Sequence, residues 1–446
     1  MGIAFICGLW ICIIVANIVF SDGSAIINYC SIFLWLSTCI YFIRKNYSYG
    51  ILSAQVMLAF TTAGICCAIA ESGQWLSEVK YYSSLSGATA RIMSLCFVIF
   101  FFSFFTFKYL SRMRSVRFGM SNKFNKVLLN CVVIAFFAFT VTLFIVHVIY
   151  GHPNDYGVDR YYYWANIAPK WAEYVKFLLS QFTVFIGLAY GLSRKKRYVI
   201  LFVVSLLAQF SVGDKFSGML YATMTFIIPI VILLKVNIGK LIFSARFVFI
   251  SVIFVTAMMS ASYLSYVAIS GAGNGIDRLV DRIVLQGQMW WALDNSSNMS
   301  SKGLEEIMSN FIGIGNSDEF STGIFYLMSI ISPPSIFQWF ADKGITMTMG
   351  SPVNLIYFFG FPLSVVPAAI LGIIVGAGYH IFYRAILISD VILIFFGVKI
   401  MDSIFRAVTM GEIFYLFSLK VLAGLFAFVF YMLASWATTH RGVKAA

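Results

Sequence analysis

The stretch VLLNCVVIAFFAFTVTLFIVHVI, residues 127–149, contains no Asp, Glu, Lys or Arg over its 23 positions. An α-helix rises 1.5 Å per residue, so about 20 apolar residues cross the roughly 30 Å hydrocarbon core of a bilayer. Because a bilayer offers no water to backbone N–H and C=O groups, a segment that crosses it alone must satisfy them as a helix. The stretch therefore predicts a membrane-spanning α-helix.

Apolar runs of similar length recur along the whole chain. Of its 446 residues, 61% are hydrophobic and 11% are charged, and the mean hydropathy is +0.89; soluble domains carry about 25% charged residues. This composition predicts an all-α, polytopic integral membrane protein with about twelve transmembrane helices and one long outer loop. The predicted spans are residues 3–20, 26–43, 50–70, 91–109, 127–149, 174–192, 198–212, 216–235, 247–269, 352–378, 385–400 and 413–436.

The spacing of these runs divides the chain into three regions. Residues 1–269 are predicted to form a membrane domain with helices 1–9, residues 270–350 the long outer loop, and residues 351–446 a membrane domain with helices 10–12. Within the loop, GIFYLMSIISPPSIFQWF, residues 323–340, is apolar but too short to span a bilayer comfortably, and two prolines interrupt it. The loop is therefore predicted to carry amphipathic and re-entrant segments.

The charged residues are distributed unequally between the two sides of the predicted membrane. With the N-terminus inside, the inner loops and the C-terminal tail hold 18 Lys and Arg residues and no Asp or Glu. Of the 18 acidic residues, 17 fall on the outer side and only Asp390 falls within a span. This follows the positive-inside rule, so both termini are predicted to be cytoplasmic. The net charge of +13 is then a topology signal, and no motif indicates a nucleic-acid partner.

The outer segment DRLVDRIVLQGQMWWALD, residues 277–294, has apolar and polar residues on opposite arcs of a helical wheel. It predicts an amphipathic helix whose apolar arc lies in the membrane interface, with Trp290 and Trp291 as anchors. On the polar arc, Arg278 and Arg282 are one turn apart and close enough to share one anion.

Arginine suits a phosphate because its planar fork makes two parallel hydrogen bonds and keeps its charge. The polar arc of residues 277–294 is therefore a candidate site for a phosphate or pyrophosphate. The alternative is an exposed helix on which Arg278 only pairs with Asp281.

Two other outer segments offer ligands for a phosphate or a sugar. The turn GDKFSG, residues 213–218, places Lys215 at the membrane edge as a candidate phosphate ligand; the alternative is a snorkelling lysine in a plain turn. In GHPNDYGVDRYYYWANIAPKWAEY, from Gly151, Asp159 and Arg160 precede four aromatic residues. Charged groups beside flat rings suit a saccharide, and an interfacial aromatic belt explains the same residues.

The long loop also supplies an outward carboxylate. Asp318 and Glu319, in the segment GNSDEF, are candidate bases, with Glu319 also a candidate substrate contact, and the alternative is a solvated loop. The sequence contains no HExxH or other metal-ligand spacing, and no CxxC pair among its eight cysteines. Neither a metal site nor a cofactor is therefore expected.

The twelve predicted spans, the inner termini and the long outer loop resemble the architecture of the Wzy-type O-antigen polymerases of Gram-negative bacteria. GDKFSG is similar to the Gly-x-basic turn of that family, with Lys215 where arginine is commoner. DRLVDRIVLQGQMWW is similar to the basic start of the family's long periplasmic loop. MGSPVNLIYFFGFP, residues 349–362, is similar to the segment that re-enters the membrane after that loop.

The resemblance implies a membrane glycosyltransferase of lipopolysaccharide biosynthesis in the bacterial inner membrane. A growing glycan on undecaprenyl pyrophosphate would be transferred to another lipid-linked repeat unit, without a metal or nucleotide cofactor. Arg278, Arg282 and Lys215 would hold the departing pyrophosphate, and Asp281 would orient an arginine. The expected substrate contacts are Arg160, Asp159, Trp290, Trp291, Gln288 and Glu319. The expected partners are undecaprenyl-pyrophosphate-linked oligosaccharides, membrane lipids and a chain-length regulator.

Two other functions remain open from the sequence. A lipid-linked oligosaccharide flippase, which is a transporter, would carry charged residues inside its spans, where Asp390, Lys399 and Lys420 are the main candidates. An O-antigen ligase would use the same lipid donor with a different acceptor, but the loop histidine expected in ligases has no counterpart here. Because polar residues concentrate in the outer loops, the sequence favours an enzyme over a transporter.

Overall fold

The computed structural model describes residues 2–20, 23–113, 122–158, 160–214, 216–236, 275–297, 301–316, 319–417 and 419–444, with isolated residues between 244 and 267. At some helical positions, including 275–280 and 434–444, it describes the backbone alone. Most of the described residues are helical, which confirms the all-α class. The helices are α1 (Ile3–Val19), α2 (Ala25–Lys45), α3 (Tyr47–Ala70), α4 (Ala88–Arg112), α5 (Asn122–Tyr150), α6 (Arg160–Asn166), α7 (Lys170–Ser193), α8 (Arg197–Ser211), α9 (Phe216–Leu234), α10 (Gly275–Ser297), α11 (Gly323–Ile331), α12 (Pro334–Asp342), α13 (Val353–Phe359), α14 (Val365–Ile388), α15 (Val391–Phe405) and α16 (Leu419–Lys444).

Short elements connect these helices. Two antiparallel strands, β1 (Trp75–Leu76) and β2 (Tyr81–Tyr82), form a small hairpin between α3 and α4. Trp75 is opposite Tyr82 in this hairpin. The remaining short pieces are the helical turn Leu304–Glu306, the π-helical segments Ile307–Phe311 and Arg406–Met410, and the 3-10 turns Pro153–Tyr156, Glu319–Ser321 and Ile413–Phe417.

Six segments are long and apolar enough to cross a membrane, judged by length and composition. Four shorter apolar helices of 10–17 residues accompany them, and helices of that length are short for a bilayer core of about 30 Å. The described residues therefore support a helical membrane protein with six candidate spans, and the count of twelve stays a prediction. The six candidate spans are Ala25–Lys45, Tyr47–Ala70, Ala88–Arg112, Lys123–Tyr156, Lys170–Ser193 and Val365–Ile388.

Several predicted spans have different bounds in the structure. The predicted span 352–378 is divided, because α13 ends before Gly360, whose φ is +72°, and α14 begins five residues later at Val365. The predicted span 385–400 begins later, because the Asp390 carboxylate caps α15 by accepting two backbone N–H groups at 3.0 Å. The predicted span 247–269 lies largely outside the described residues.

The apolar loop segment 323–340 is broken where its prolines predict. It forms α11, which ends at Ile331, and α12, which begins at Pro334. Proline has no backbone N–H, so it fits the first turn of α12 but could not continue α11. The break is confirmed, and a re-entrant position in the membrane stays a prediction.

The buried apolar side chains form two clusters. The larger cluster joins α1–α4 with α10–α15, and the smaller joins α5–α9. Helices α7 and α9 contribute to both: Phe185 and Ile232 belong to the larger cluster, and Ile186 and Phe226 to the smaller. These two helices therefore hold the two parts of the molecule together.

Helices α4 and α14 approach closely because α14 places glycines at the contact. A Cβ atom on Gly372 would lie 2.5 Å from the carbonyl oxygen of Ile99, and one on Gly376 would overlap the carbonyl oxygen of Ser103. The two glycines are four residues apart, which is the small-xxx-small spacing that lets two membrane helices pack backbone to backbone.

Trp290 and Trp291 of α10 pack inside the protein, so the lipid-interface contact predicted for them is wrong. A Cβ atom on Gly287 would overlap the backbone of α3 at Cys67. Trp290 and Trp291 are buried, and their indole N–H groups donate to the carbonyl oxygens of Ser351 (3.1 Å) and Ser84 (2.8 Å). Because a protein partner satisfies both the apolar rings and the polar N–H groups, the tryptophans need no contact with lipid headgroups.

A buried ion pair fixes the end of α10 to the start of α4. Arg91 and Asp294 are both fully buried. The Nε atom of Arg91 donates to one Asp294 oxygen at 3.0 Å, and its Nη2 atom donates to the other and to the carbonyl oxygen of Ser86. This bidentate geometry is the one that best offsets the cost of desolvating a buried ion pair.

Glu71 caps the same end of α4 from another helix. Its carboxylate accepts the backbone N–H groups of residues 86–89 at 2.6–3.1 Å and the hydroxyl groups of Ser86 and Thr89. Asn28 of α2 donates to Glu71 at 2.8 Å and accepts the N–H of Ala90. The unpaired N–H groups of a helix start are thus satisfied by one carboxylate and one amide, and the negative charge suits the positive end of the helix dipole.

We expect Asp294→Ala to destabilise the protein by about 3–5 kcal/mol, because it leaves the buried Arg91 guanidinium without its partner. Thermal unfolding of the detergent-purified chain measures this, with the exposed Glu305→Ala as the matched control. A double variant, Arg91→Met with Asp294→Leu, should recover much of the loss. An Asp294→Ala protein as stable as the control would contradict the role of the pair.

Candidate functional site

A cavity of about 590 Å³ lies between the α6–α7 region and the end of α12. We call it the cationic cavity, because four of its lining side chains are basic and one is acidic. Its volume is within the range of about 300–1,000 Å³ typical of small-molecule sites. Its lining residues are Arg160, Trp164, Ala165, Lys170, Glu173, Tyr174, Lys176, Lys343 and Gly344.

The start of α7 presents three of these side chains on one face. Helix α6 ends where the N–H groups of residues 167 and 168 both bond to the carbonyl oxygen of Tyr163. Pro169 then precedes α7, which begins at Lys170. Lys170, Glu173 and Tyr174 are three and four residues apart, a spacing that puts them side by side on a helix.

Two of the four cations are held by their neighbours. The Lys176 ammonium lies 3.1 Å from Oδ1 of Asp214 and 4.8 Å from the centre of the Trp164 ring. The Lys343 ammonium lies 4.2 Å from the centre of the Trp339 ring. Among the described residues, no carboxylate pairs with Lys170 or Lys343. The cavity therefore keeps a positive excess, which attracts an anionic ligand.

Trp164 adds an aromatic ring to the lining of the cavity. Its side chain is only 4% exposed, and its indole N–H has no hydrogen-bond partner among the described residues. A buried donor without a partner costs about 1–3 kcal/mol. Cations beside the rings of Trp164 and Tyr174 suit a ligand that carries both phosphate and sugar.

Of the predicted site residues whose side chains the structure describes, Arg160 alone lines this cavity. Outside the described residues lie Asp159, Lys215 and Asp318. Arg278 and Glu319 are on described backbone, but their side chains are not described.

The predicted residues of α10 are in other places. Arg282 Nη1 lies 3.4 Å from Oε1 of Glu78, and Gln288 donates to the other oxygen of the same carboxylate. Glu78 belongs to the hairpin between α3 and α4. None of Asp281, Arg282, Gln288, Trp290 and Trp291 lines the cationic cavity. Their catalytic and substrate-binding roles stay predictions.

Sequence reasoning missed most of the cavity. The sequence could have identified Lys170, Glu173 and Tyr174, because their spacing after Pro169 indicates one face of a helix. It could not have identified Lys343, because Lys343 is 173 positions from Lys170 in the sequence and only the tertiary fold brings it to the cavity.

We expect Glu78→Gln to raise the melting temperature of the purified protein at pH 7. Burial raises the pKa of Glu78 above its ordinary 4.5, the hydrogen bond from Gln288 and the charge of Arg282 partly oppose this, and Asp281 adds to it. Folding therefore favours the protonated acid, and the stability lost to ionisation grows as pH rises above 4.5.

The gain from Glu78→Gln should accordingly shrink as the pH is lowered to 4.5, where half of the unfolded chains also hold the proton. Glu305→Gln, at an exposed position, is the matched control. A gain at pH 4.5 as large as that at pH 7 would contradict the effect of burial on Glu78.

Comparison with known proteins gives one family match. Residues 317–425 match the model of a protein family described as "Family of unknown function (DUF6418)". The matched region holds α11–α15 and contributes Lys343 and Gly344 to the cationic cavity. No curated protein and no solved structure matches the chain.

Proposed function

We propose that the chain is an O-antigen polymerase, a membrane glycosyltransferase that transfers a growing glycan from undecaprenyl pyrophosphate to another lipid-linked repeat unit. The observation that carries the proposal is the cationic cavity, in which four basic side chains meet two aromatic ones beside apolar helices. The proposal includes the bacterial inner membrane as the location, with cytoplasmic termini and a periplasmic long loop.

The position of the cavity supports a lipid-linked substrate. Two of its four cations, Lys170 and Lys176, lie in the first two turns of α7, and α7 is a candidate membrane span from Lys170 to Ser193. A pyrophosphate in the cavity would thus be at one end of an apolar helix. Its polyprenyl chain could extend along the outside of that helix into the bilayer.

The charges of the cavity support the transfer chemistry. An acceptor hydroxyl attacks the anomeric carbon of the donor, and the bond to the pyrophosphate oxygen breaks with its electron pair. Cations fixed beforehand, such as Lys176 between Asp214 and Trp164, stabilise that developing charge without first having to reorganise. Undecaprenyl-pyrophosphate-linked glycans, membrane lipids and a chain-length regulator are the partners this proposal implies.

A lipid-linked oligosaccharide flippase is the second candidate, because charged groups also occur along the apolar helix α15. The Lys399 ammonium donates to Gln181 of α7 at 2.6 Å. Just after α15, Arg406 pairs with Asp402 at 3.6 Å and with Glu412 at 3.4 Å. Ionisable side chains at membrane depth often mark transport paths.

The surface lipopolysaccharide of a strain lacking the gene, run on a gel beside the complemented strain, separates these functions. A polymerase predicts that the ladder collapses to core plus one repeat unit, because export and ligation continue. A strain in which no repeat unit reaches the core would overturn the proposal. Lipid-linked glycan accumulating in the inner leaflet would then indicate a flippase, and in the outer leaflet a ligase.

We expect the double variant Lys170→Ala, Lys343→Ala to shorten the ladder strongly at normal expression. Loss of one stabilising donor at a developing negative charge costs about 10²–10³ in rate. The matched control is Lys195→Ala with Lys196→Ala, two exposed lysines just beyond the opposite end of α7. A full-length ladder from the cavity variant would show that these cations do not hold the substrate.

A further inference from the structure

Glu306 presents one carboxylate oxygen to the outside while the other is held by two phenols. Its Oε1 atom accepts hydrogen bonds from Tyr326 at 2.5 Å and from Tyr357 at 3.4 Å. Among the described residues, no donor binds its Oε2 atom, and that oxygen is not enclosed. The side chain as a whole is half-buried. One oxygen therefore fixes the orientation and the other is accessible.

The backbone around Glu306 is anchored to the core. The N–H of Lys302 donates to the carbonyl oxygen of Phe358 at 2.9 Å, and the Lys302 ammonium lies 4.5 Å above the Tyr357 ring. The ring of Phe311 packs on Phe358 with centroids 5.0 Å apart. The backbone that carries the Glu306 carboxylate is therefore held in place, although it belongs to a long connecting segment.

Glu306 is at the point where the helical turn Leu304–Glu306 changes into the π-helical segment Ile307–Phe311. Single π-helical turns are uncommon and are found frequently at functional sites. Burial, and then the contact with Glu306, raises the pKa of Tyr326. That phenol therefore stays protonated at neutral pH and remains a donor to the carboxylate.

We propose that Glu306 is the general base of glycan transfer, and that Tyr326 and Tyr357 are positioning residues for its carboxylate. The proposal rests on the polymerase function proposed above. Glu306 and Lys343, one of the cavity cations, belong to the same connection between α10 and α13.

The step is balanced without any further reactant. As the acceptor oxygen forms its bond to the anomeric carbon, Oε2 of Glu306 takes the hydroxyl proton. The bond from the anomeric carbon to the pyrophosphate oxygen breaks, and the electron pair leaves with the lipid pyrophosphate. The carboxylic acid then releases its proton to solvent. A base in this position contributes about 10²–10⁴ in rate.

The test uses the full chain in nanodiscs. Undecaprenyl-pyrophosphate-linked repeat unit, extracted from the strain lacking the gene, serves as both donor and acceptor. We expect Glu306→Gln to lower kcat by about 10²–10⁴ with KM unchanged, because the amide still accepts from both phenols but takes no proton. Glu305→Gln, at the adjacent exposed position, should keep the wild-type rate.

Two further variants separate a chemical role from a structural one. Glu306→Asp should recover part of the activity, because it restores a carboxylate. Tyr326→Phe should lower kcat without changing KM, since it removes a hydrogen bond that orients the base.

The outcomes distinguish this inference from the proposed function. If the wild-type chain makes polymer and Glu306→Gln works as fast as Glu305→Gln, the base assignment is wrong while the polymerase function stands. If the wild-type chain makes no polymer from this substrate, the polymerase function and the base assignment both fail.

Discussion

The buried pair of Arg91 and Asp294 is the constraint on which the rest of the structure depends. Two full charges removed from water are stable only if they pair with good geometry. Here the Nε and Nη2 atoms of Arg91 each donate to an oxygen of Asp294, and Nη2 also donates to the carbonyl oxygen of Ser86. The pair holds the last turn of α10 against the first turn of α4, where Glu71 satisfies the helix start. Since α4 is itself packed backbone to backbone on α14, the position of α10 is tied to the centre of the membrane helices.

The long connection between α10 and α13 is also anchored to α10. The Trp290 indole bonds to the carbonyl oxygen of Ser351, near the far end of that connection. The far end of the connection is thereby tied to α10. This segment supplies both Lys343 of the cationic cavity and the carboxylate of Glu306. A connection of this length without such ties would leave neither side chain in a defined place.

The sequence predicted the helical membrane class well, because bilayer thickness and backbone hydrogen bonding constrain a long apolar run to one structure. It predicted α10 as a helix with two faces but assigned the wrong environment to the apolar face, since lipid and protein core select the same residues. The ion-pair partner of Asp294 could not be predicted from the sequence, because Arg91 is 203 positions away. For the site, Arg160 was identified from its aromatic neighbours, whereas Glu306 and Lys343 acquire their surroundings only from distant segments.

The central claim is that the cationic cavity receives the pyrophosphate of a lipid-linked glycan. The most direct measurement is an electron cryomicroscopy structure of the full chain in nanodiscs with undecaprenyl-pyrophosphate-linked repeat unit bound. We predict pyrophosphate density among Lys170, Lys176 and Lys343, with a sugar against Trp164. Density for the pyrophosphate at Arg278 and Arg282 on α10, with none in the cavity, would contradict it.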